Sequence, residues 1–544
     1  MKAMRKVGAV LLAMLAMVCF AVPAFAVPGD DYTGPFSITI ENTSDAVTMD
    51  GVTFEAYKLF DVTYSDATPD EDTAYAYTLA DEFADSDFLP WTPAGGAEIT
   101  TSAELVKYIS GLQPNSAQLN EFATAIRNHV TEHTIAPGGT AEGTAANTVT
   151  INVTDPGYYL VVAVDDVPST ADPNVTVTAL AALTTTNPTP TIDLKADAPT
   201  IEKKVRENQN ATWDDVADYN VGDSVEFLLI GTVPTQLTGY TNYYYRFHDT
   251  LSAGLTVNQK SVKVYGEGGL KPDGTFDEGT VVDPSNYTVE FTGLDNECDM
   301  HVTLNSDYVM AHPGEHVYVY YTAEVNEYAL ISNNVTIDPN TNTANIEFSN
   351  NPYNDDDRDK TPDDKVRVYS YGFNVFKHDD ENQPLAGAEF MLYTDSDCQH
   401  EVLLVADGTD GTKTYRVATA DETGAVIHSI TTDETGAFVI NGLDAGTYYL
   451  KELTPPDGYY ALDDPIKVTI TAVRGDAAGE QVVNDVQISQ DDTTDVEQVA
   501  VLNSTSPLLP TTGGMGTTIF YVVGAVLVVG AGVGVVVKRR MAAK

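Results

Sequence analysis

The sequence predicts a mainly β protein, three β-sandwich domains in a row with a short helical insert in the first. Three observations carry this expectation. Short segments alternate apolar and polar residues at the period of a half-buried strand, and clusters of Gly, Pro, Asn and Asp punctuate them at the spacing of a sandwich. The chain runs to 544 residues, too long for one core at about 100–150 residues per domain. Hydrophobic residues make up 43% of it, with Val, Thr, Tyr and Ile abundant; that is too apolar for a disordered acidic chain and suits pleated surfaces.

The elements follow in chain order. Lys2, Arg5 and Lys6 precede an apolar run over 7–20 and the small residues Ala24 and Ala26, the layout of a secretory signal peptide over 1–26 with the mature chain starting at Val27. Residues 27–194 form the first domain. Segments 36–40, 149–153 and 158–163 read as strands, and one helical interval over roughly 102–131 interrupts them. Asn187-Pro188-Thr189-Pro190 breaks regular structure and marks the boundary. Residues 195–364 form the second domain, with short strands from Ile201 to about Phe348 and the charged run 354–364 as a closing linker. Residues 365–506 form the third. Residues 507–544 hold Leu509-Pro510-Thr511-Thr512-Gly513, an uncharged stretch over 518–537, and then Lys538-Arg539-Arg540. That stretch is long enough to be transmembrane, with the basic tail held on the cytoplasmic side.

Charge and cysteine usage exclude several function classes. Acids outnumber bases 80 to 28, for a net charge of −52, and seven of the bases (Lys2, Arg5, Lys6, Lys538, Arg539, Arg540, Lys544) sit at the two ends. Such a chain repels a phosphate backbone, so nucleic acid is not an expected partner. Cys19 leaves with the signal peptide, and Cys298 and Cys398 fall about a hundred residues apart in different domains, so no disulfide framework is expected. There is no HExxH or GxSxG motif, and the nine His residues show no metal-ligand spacing. No cofactor, no metal and no turnover enzyme are expected. Asp355-Asp356-Asp357 reads as a solvated linker in preference to a calcium site.

The interior-facing residues say most. In 373–377 a period of two aligns Phe373, Val375 and Lys377; in 448–452 Glu452 shares the face of Tyr448 and Leu450; and Val499, Val501 and Asn503 share another. A buried Lys, Glu and Asn each cost several kcal/mol if unpaired, so they are expected to meet. Burial lowers the lysine pKa and raises that of the glutamate, leaving a neutral amine and a protonated carboxyl. The amine then attacks the carboxamide carbon while the carboxyl polarises it and carries the proton that leaves with ammonia. The product is an amide between Lys377 and Asn503, a staple that needs no oxidant. Alternation alone fits equally well a buried ion pair beside a hydrogen-bonded amide, or a snorkelling lysine. In the second domain Ile201, Lys203 and Val205 share one face and Ala344, Ile346, Phe348 and Asn350 another, with Lys204 and Asn351 as off-by-one alternatives. In the first domain Lys58 aligns with apolar neighbours, but no terminal Asn matches it and no bond is expected.

Pro384-Leu385-Ala386-Gly387-Ala388-Glu389-Phe390, Gly442-Leu443-Asp444-Ala445-Gly446-Thr447-Tyr448-Tyr449-Leu450-Lys451-Glu452-Leu453 and Pro456-Asp457-Gly458-Tyr459 resemble a CnaB-type domain and its E-box. The resemblance implies an intramolecular isopeptide bond between Lys377 and Asn503 with Glu452 as its catalyst. The segment Tyr245-Arg246-Phe247-His248-Asp249-Thr250-Leu251 resembles the acid-bearing strand of the CnaA-like middle domain of backbone pilins, which makes Asp249 the acid for Lys203 and Asn350. An ordinary turn or capping residue is the alternative for Asp249. The pentapeptide, apolar span and basic tail, in that order, resemble the LPxTG cell-wall sorting signal of Gram-positive surface proteins. Leu509, Pro510, Thr511, Thr512 and Gly513 are then the sortase motif, cleaved between Thr512 and Gly513.

From signal peptide to sorting signal the chain resembles the shaft, or backbone, pilin of Gram-positive sortase-assembled pili, with immunoglobulin-like and CnaB-like sandwiches. Lys195, in Thr191-Ile192-Asp193-Leu194-Lys195-Ala196-Asp197, occupies the place of the pilin-motif lysine but lacks the usual Tyr and Pro beside it; it is expected to be exposed. The resemblance implies that a class C pilin sortase joins Thr512 to Lys195 of another identical subunit, head to tail. It also implies a housekeeping sortase that attaches the polymer to peptidoglycan, and minor tip and base pilins as partners, with a host receptor open. The expected protein is a secreted, cell-wall-anchored fimbrial subunit that supports adhesion and performs only single-turnover chemistry on itself. A monomeric wall-anchored LPxTG adhesin is the alternative, and only Lys195 separates the two.

Overall fold

A computed structural model describes residues 27–28, 36–64, 75–114, 116–185, 189–294, 297–407, 413–422, 425–477 and 479–505. The signal peptide 1–26, the pentapeptide 509–513 and the apolar stretch 518–537 lie outside the described residues, and no described helix is long and apolar enough to cross a membrane. The chain is mostly β. It divides into two compact units, one of residues 1–330, 338–369 and 475–482, the other of 331–337, 370–474 and 483–544.

In the first unit, strand Thr53–Tyr64 is the hub of a sheet ordered Val27–Pro28, Thr53–Tyr64, Gly157–Ala163, Ala182–Thr185. A three-stranded sheet of Thr191–Asp193, Phe36–Glu41 and Thr148–Val153 accompanies it. Phe36, Ile38 and Ile40 are buried and alternate with half-buried Ser37 and Thr39, the pattern the sequence carries. The helical insert is three helices, Asp81–Asp85, Ser102–Ser110 and Ala117–His133, where the sequence predicts one interval. Gly111 ends the second helix, and Ser116 Oγ restarts the chain by accepting from the Leu119 N–H at 3.3 Å, an N-cap that satisfies one of the exposed donors. Phe122, Ile126 and Val130 follow at intervals of four, so one face of the last helix is buried against Leu59, Phe60, Phe83, Phe88 and Leu160.

The same unit holds a six-stranded and a seven-stranded sheet formed after residue 200. The first is ordered Trp213–Asp214, Ile201–Arg206, Ser224–Thr232, His316–Val325, Leu255–Val257, with Lys263–Tyr265 also pairing His316–Val325. The second runs Val216–Asp218, Asp364–Tyr369, Asn340–Ser349, Tyr245–Leu251, Met300–Leu304, Tyr287–Glu290. One expectation changes here. The charged run 354–364 is not a free linker: strand Arg358–Lys360 pairs with Asn340–Ser349, and Asp364 begins strand Asp364–Tyr369, which pairs with the same neighbour on its other part. Val366 and Val368 are fully buried, so the strand period continues past the charges, and the domain end expected at 364 moves to 369. The stretches expected as first and second domains each build their own sheets within the first unit, and hydrogen bonds run between them: Thr178 N–H to the Asn350 carbonyl at 2.8 Å, Ala181 N–H to the Tyr353 hydroxyl at 2.7 Å and Thr176 N–H to Asp359 Oδ2 at 3.0 Å.

The second unit pairs two five-stranded sheets. One is ordered Leu404–Ala406, Thr414–Val417, Ala437–Leu443, Tyr371–His378, Val499–Leu502; the other Ile430–Thr431, Glu389–Tyr393, Gly446–Thr454, Ile466–Ala477, Glu480–Gln490. The first and last long strands of this block are parallel neighbours, with Lys377 opposite Val501. Gly436 turns the chain beneath them at φ +65°, and a Cβ there would lie 2.4 Å from the Lys377 carbonyl oxygen, a position that only glycine fills without strain.

Truncating the anchor of the helical insert, Phe122→Ala, is expected to destabilise the first unit by about 3–5 kcal/mol, measured as a shift in the urea midpoint at unchanged slope.

Candidate functional site

Two buried lysines organise the chemistry. Lys377 is fully buried on strand Tyr371–His378. Its Nζ donates to the Val501 carbonyl at 3.1 Å and to the His378 carbonyl at 3.4 Å, so the amine is held between the block's first and last strands. Asn503, two residues beyond Val501 on the same face, is 1% exposed, and its backbone N–H donates to the His378 carbonyl. Its carboxamide Nδ2 donates to Glu452 Oε2 at 3.1 Å and to the Tyr460 carbonyl at 2.7 Å. Glu452 comes from the opposite sheet, and the Leu462 N–H holds the same oxygen at 3.0 Å. Lys377, Glu452 and Asn503 are thus assembled around one point in the core. Burial pushes the Lys377 amine down to about 8, against the opposing pull of Glu452, and that enlarges the neutral, nucleophilic fraction at pH 7 by roughly a few hundredfold.

Lys203 repeats the theme across two sheets. It is fully buried on strand Ile201–Arg206, and its Nζ donates to Asp249 Oδ1 at 2.7 Å and to the Tyr321 hydroxyl at 3.2 Å. Its own N–H donates to Asp364 Oδ2. Desolvation drives Lys203 below the ordinary lysine value and Asp249 above the ordinary carboxylate value, so both partners move toward their neutral forms. The carboxamide that reaches this pair is Asn342, not Asn350: Asn342 is fully buried and its Nδ2 donates to the same Tyr321 hydroxyl at 2.6 Å. Asn350 lies at the other end of the same strand face, where its Nδ2 donates to the Thr176 carbonyl at 3.3 Å. The period of two picks the face correctly and leaves its members equivalent; which of them faces Lys203 depends on how the two sheets are stacked. Of the off-by-one alternatives, Lys204 pairs with Glu202 and Asp215 and Asn351 with Asp357.

The two sites share an unmet requirement. Asp249 Oδ2 and Asn342 Oδ1 in one, and Glu452 Oε1 and Asn503 Oδ1 in the other, have no hydrogen-bond partner among the described residues. All four are acceptors, and no described side chain or backbone group donates to them. An amine driven toward neutrality, an acid able to hold and pass a proton, and an amide with a polarisable carbonyl are the parts needed for amide exchange.

Lys195 follows strand Thr191–Asp193 and lies between buried Leu194 and Ala196. It is half-buried, where the sequence expectation was an exposed side chain, and desolvation lowers its pKa against the pull of Asp193. The physical reason is that strand Thr191–Asp193 pairs in parallel with Phe36–Glu41, so the chain after residue 190 stays in the sheet and does not run free as a connection. Lys58 pairs with Asp61 and Asp155. Cys298 and Cys398 are both thiols. The residues that sequence reasoning missed here are Asn342 and Tyr321. A signal for Asn342 existed in the alternation of 340–350, which places Asn340 and Asn342 on the core face; none existed for Tyr321.

Residues 372–492 match the family described as SpaA, prealbumin-like fold domain. The trypsin-resistant surface T6 protein of Streptococcus pyogenes serotype M6 is 24% identical over 291 residues, 51% of this chain and 46% of that protein. The match therefore spans about half the length of that curated relative. Among solved structures, the T6 backbone pilin of serotype M6 Streptococcus pyogenes aligns at TM-score 0.48 and 17% identity, over 86% of this chain and 98% of that one. The full-length major pilin SpaD of Corynebacterium diphtheriae aligns at TM-score 0.44 and 18% identity, over 87% and 97%.

Removing the acid from the buried pair, Asp249→Ala, is expected to cost about 3–5 kcal/mol by leaving Lys203 desolvated and unpaired. Lys204→Ala, at the half-exposed neighbour, is expected to cost about 1 kcal/mol or less. Urea unfolding of both variants measures the contrast.

Proposed function

We propose that this chain is the structural shaft subunit of a covalently polymerised pilus on a Gram-positive cell surface. One observation carries the reading: a buried lysine, acid and carboxamide recur in two successive sandwiches, each joining distant parts of the chain. In an exported chain whose described cysteines are thiols, such bonds are a staple that no reductant opens. Lys377 Nζ attacks Asn503 Cγ, the bond from Cγ to Nδ2 breaks, and ammonia leaves. Glu452 lends a proton to the carbonyl oxygen and takes one from the attacking amine, then passes that proton to Nδ2 as ammonia leaves and recovers its own from the oxygen as the new amide carbonyl forms. Lys203, Asn342 and Asp249 take the same roles in the second site. Each reaction consumes its own side chains, so the protein turns over no substrate.

Assembly uses the ends. A pilin sortase cleaves between Thr512 and Gly513 and holds the chain as a thioester; the Lys195 amine of another subunit attacks that thioester, forming an amide and freeing the enzyme thiol. A contact between unlike surfaces that never closes generates an open filament, and a housekeeping sortase joins its base to peptidoglycan. The lowered pKa of Lys195 suits a nucleophile. Its half-burial and the absence of Tyr and Pro before it favour one other reading, a monomeric wall-anchored adhesin with the same sorting signal.

Two measurements test this. The intact mass of the folded chain is expected to fall below the sequence mass by one ammonia for each of two bonds. Glu452→Ala restores one, Asn342→Ala restores the other, and Asn350→Ala restores none. On a denaturing gel of enzymatically released cell wall, the wild type is expected to give a boiling-resistant ladder that Lys195→Ala collapses to a single band. An unshifted mass removes the staples. A ladder that survives the substitution moves the linkage to another lysine, and a single band in the wild type supports the adhesin.

A further inference from the structure

The strand that carries Asp249 inward presents His248 on its other face. His248 stands directly opposite His301 of the neighbouring strand Met300–Leu304. Two histidines on the face away from the Lys203 core are nonetheless only 1% and 2% exposed, with ring centroids 4.3 Å apart at 71°. Cys298, just ahead of that strand, turns its Sγ to 3.6 Å from His248 Nδ1, and the Thr250 hydroxyl donates to the same sulfur at 3.6 Å. One ligand atom from each of His248, Cys298 and His301 falls within 4.8 Å of the others. The sequence expectation of no metal-ligand spacing among the histidines is corrected by the fold: residues about fifty positions apart in sequence meet because Tyr245–Leu251 and Met300–Leu304 pair antiparallel.

We propose that His248, Cys298 and His301 bind a zinc-class divalent ion that clips these two strands together. The donor set selects the metal. Two imidazoles and a thiolate suit zinc, whereas calcium and magnesium require oxygen ligands. The spacing agrees: bonds of about 2.3 Å to sulfur and 2.0–2.1 Å to nitrogen at a tetrahedral angle put S and N about 3.6 Å apart, the distance between Cys298 Sγ and His248 Nδ1. The far side of His248 is already braced, since Nε2 meets Glu347 Oε2 at 2.8 Å. A carboxylate there fixes the tautomer with Nδ1 as the metal-facing lone pair, the arrangement that supports metal-bound histidines. Glu347 is in turn steadied by Arg358, 3.7 Å away. Cys298 is half-exposed, which leaves an entry path and a fourth position for water. Binding releases the thiol proton to solvent. The clip would do on this sheet what a disulfide does elsewhere, and it would hold still the strand whose next residue is Asp249. It rests on the strand register alone and stands whether or not the chain polymerises.

Cobalt is the probe that reads the ligand set. The full chain, purified in mild detergent without an affinity tag, reduced and stripped with chelator, is titrated with Co²⁺ and then Zn²⁺. The expected result is one Co²⁺ per chain with a thiolate-to-cobalt charge-transfer band and the visible bands of a tetrahedral ion, all displaced by Zn²⁺. Cys298→Ser is expected to abolish the charge-transfer band, and Cys398→Ser to leave it intact. Glu347→Gln keeps the band but weakens affinity about ten- to a hundredfold. Circular dichroism confirms that each variant is folded. Absence of the band in the folded wild type at excess Co²⁺ overturns the proposal, as does its persistence in Cys298→Ser or an octahedral spectrum without charge transfer.

Discussion

A primary amine removed from water must lose its proton, find an acid or form a bond, because leaving it charged and alone costs several kcal/mol. Lys203 and Lys377 are both fully buried, and the interior around each is organised by that constraint. The acids Asp249 and Glu452, the carboxamides Asn342 and Asn503, and the Tyr321 hydroxyl are the buried polar groups gathered about the two amines. Once these groups are present, the strands that carry them can pack in one register only, since a slip of one residue would send every member of the set to the other face.

The two sites answer the constraint in different geometries. In the second unit, amine and amide belong to parallel neighbouring strands of one sheet, and the acid reaches them from the facing sheet. In the first unit, the amine stands in one sheet while acid and amide come from adjacent strands of the other. The acid also differs in what it holds. Asp249 contacts the amine directly, whereas Glu452 contacts the carboxamide, and backbone carbonyls hold the Lys377 amine. The acid thus touches the amine in one site and the carboxamide in the other.

Much of this was legible along the chain. The alternation of 373–377 and 499–503 put Lys377 and Asn503 on core faces, and the pairing of those strands then brought the two together. Lys203 was legible for the same reason, and its neighbour Lys204 proved to be the surface residue. Asn350 was the wrong member of the right face, because periodicity along one strand carries no information on which residue lies opposite a partner in another sheet. The charged run 354–364 misled for a related reason: an edge strand tolerates charge on its open side, so composition there resembles a linker while Arg358–Lys360 pairs as a strand.

What the sequence determined by itself is whatever depends on neighbours in the chain: the β class and the faces of the strands. The tertiary structure alone decided what depends on contacts between distant segments. It selected Asn342 over Asn350, introduced Tyr321 as the shared hydroxyl, covered half of Lys195, and gathered His248, Cys298 and His301 into one cluster. The physical reason is that a strand's hydrogen-bonding and side-chain periodicity are local, whereas strand register and sheet stacking are set by the whole core packing at once, and chemistry between side chains begins only where those two fix a distance.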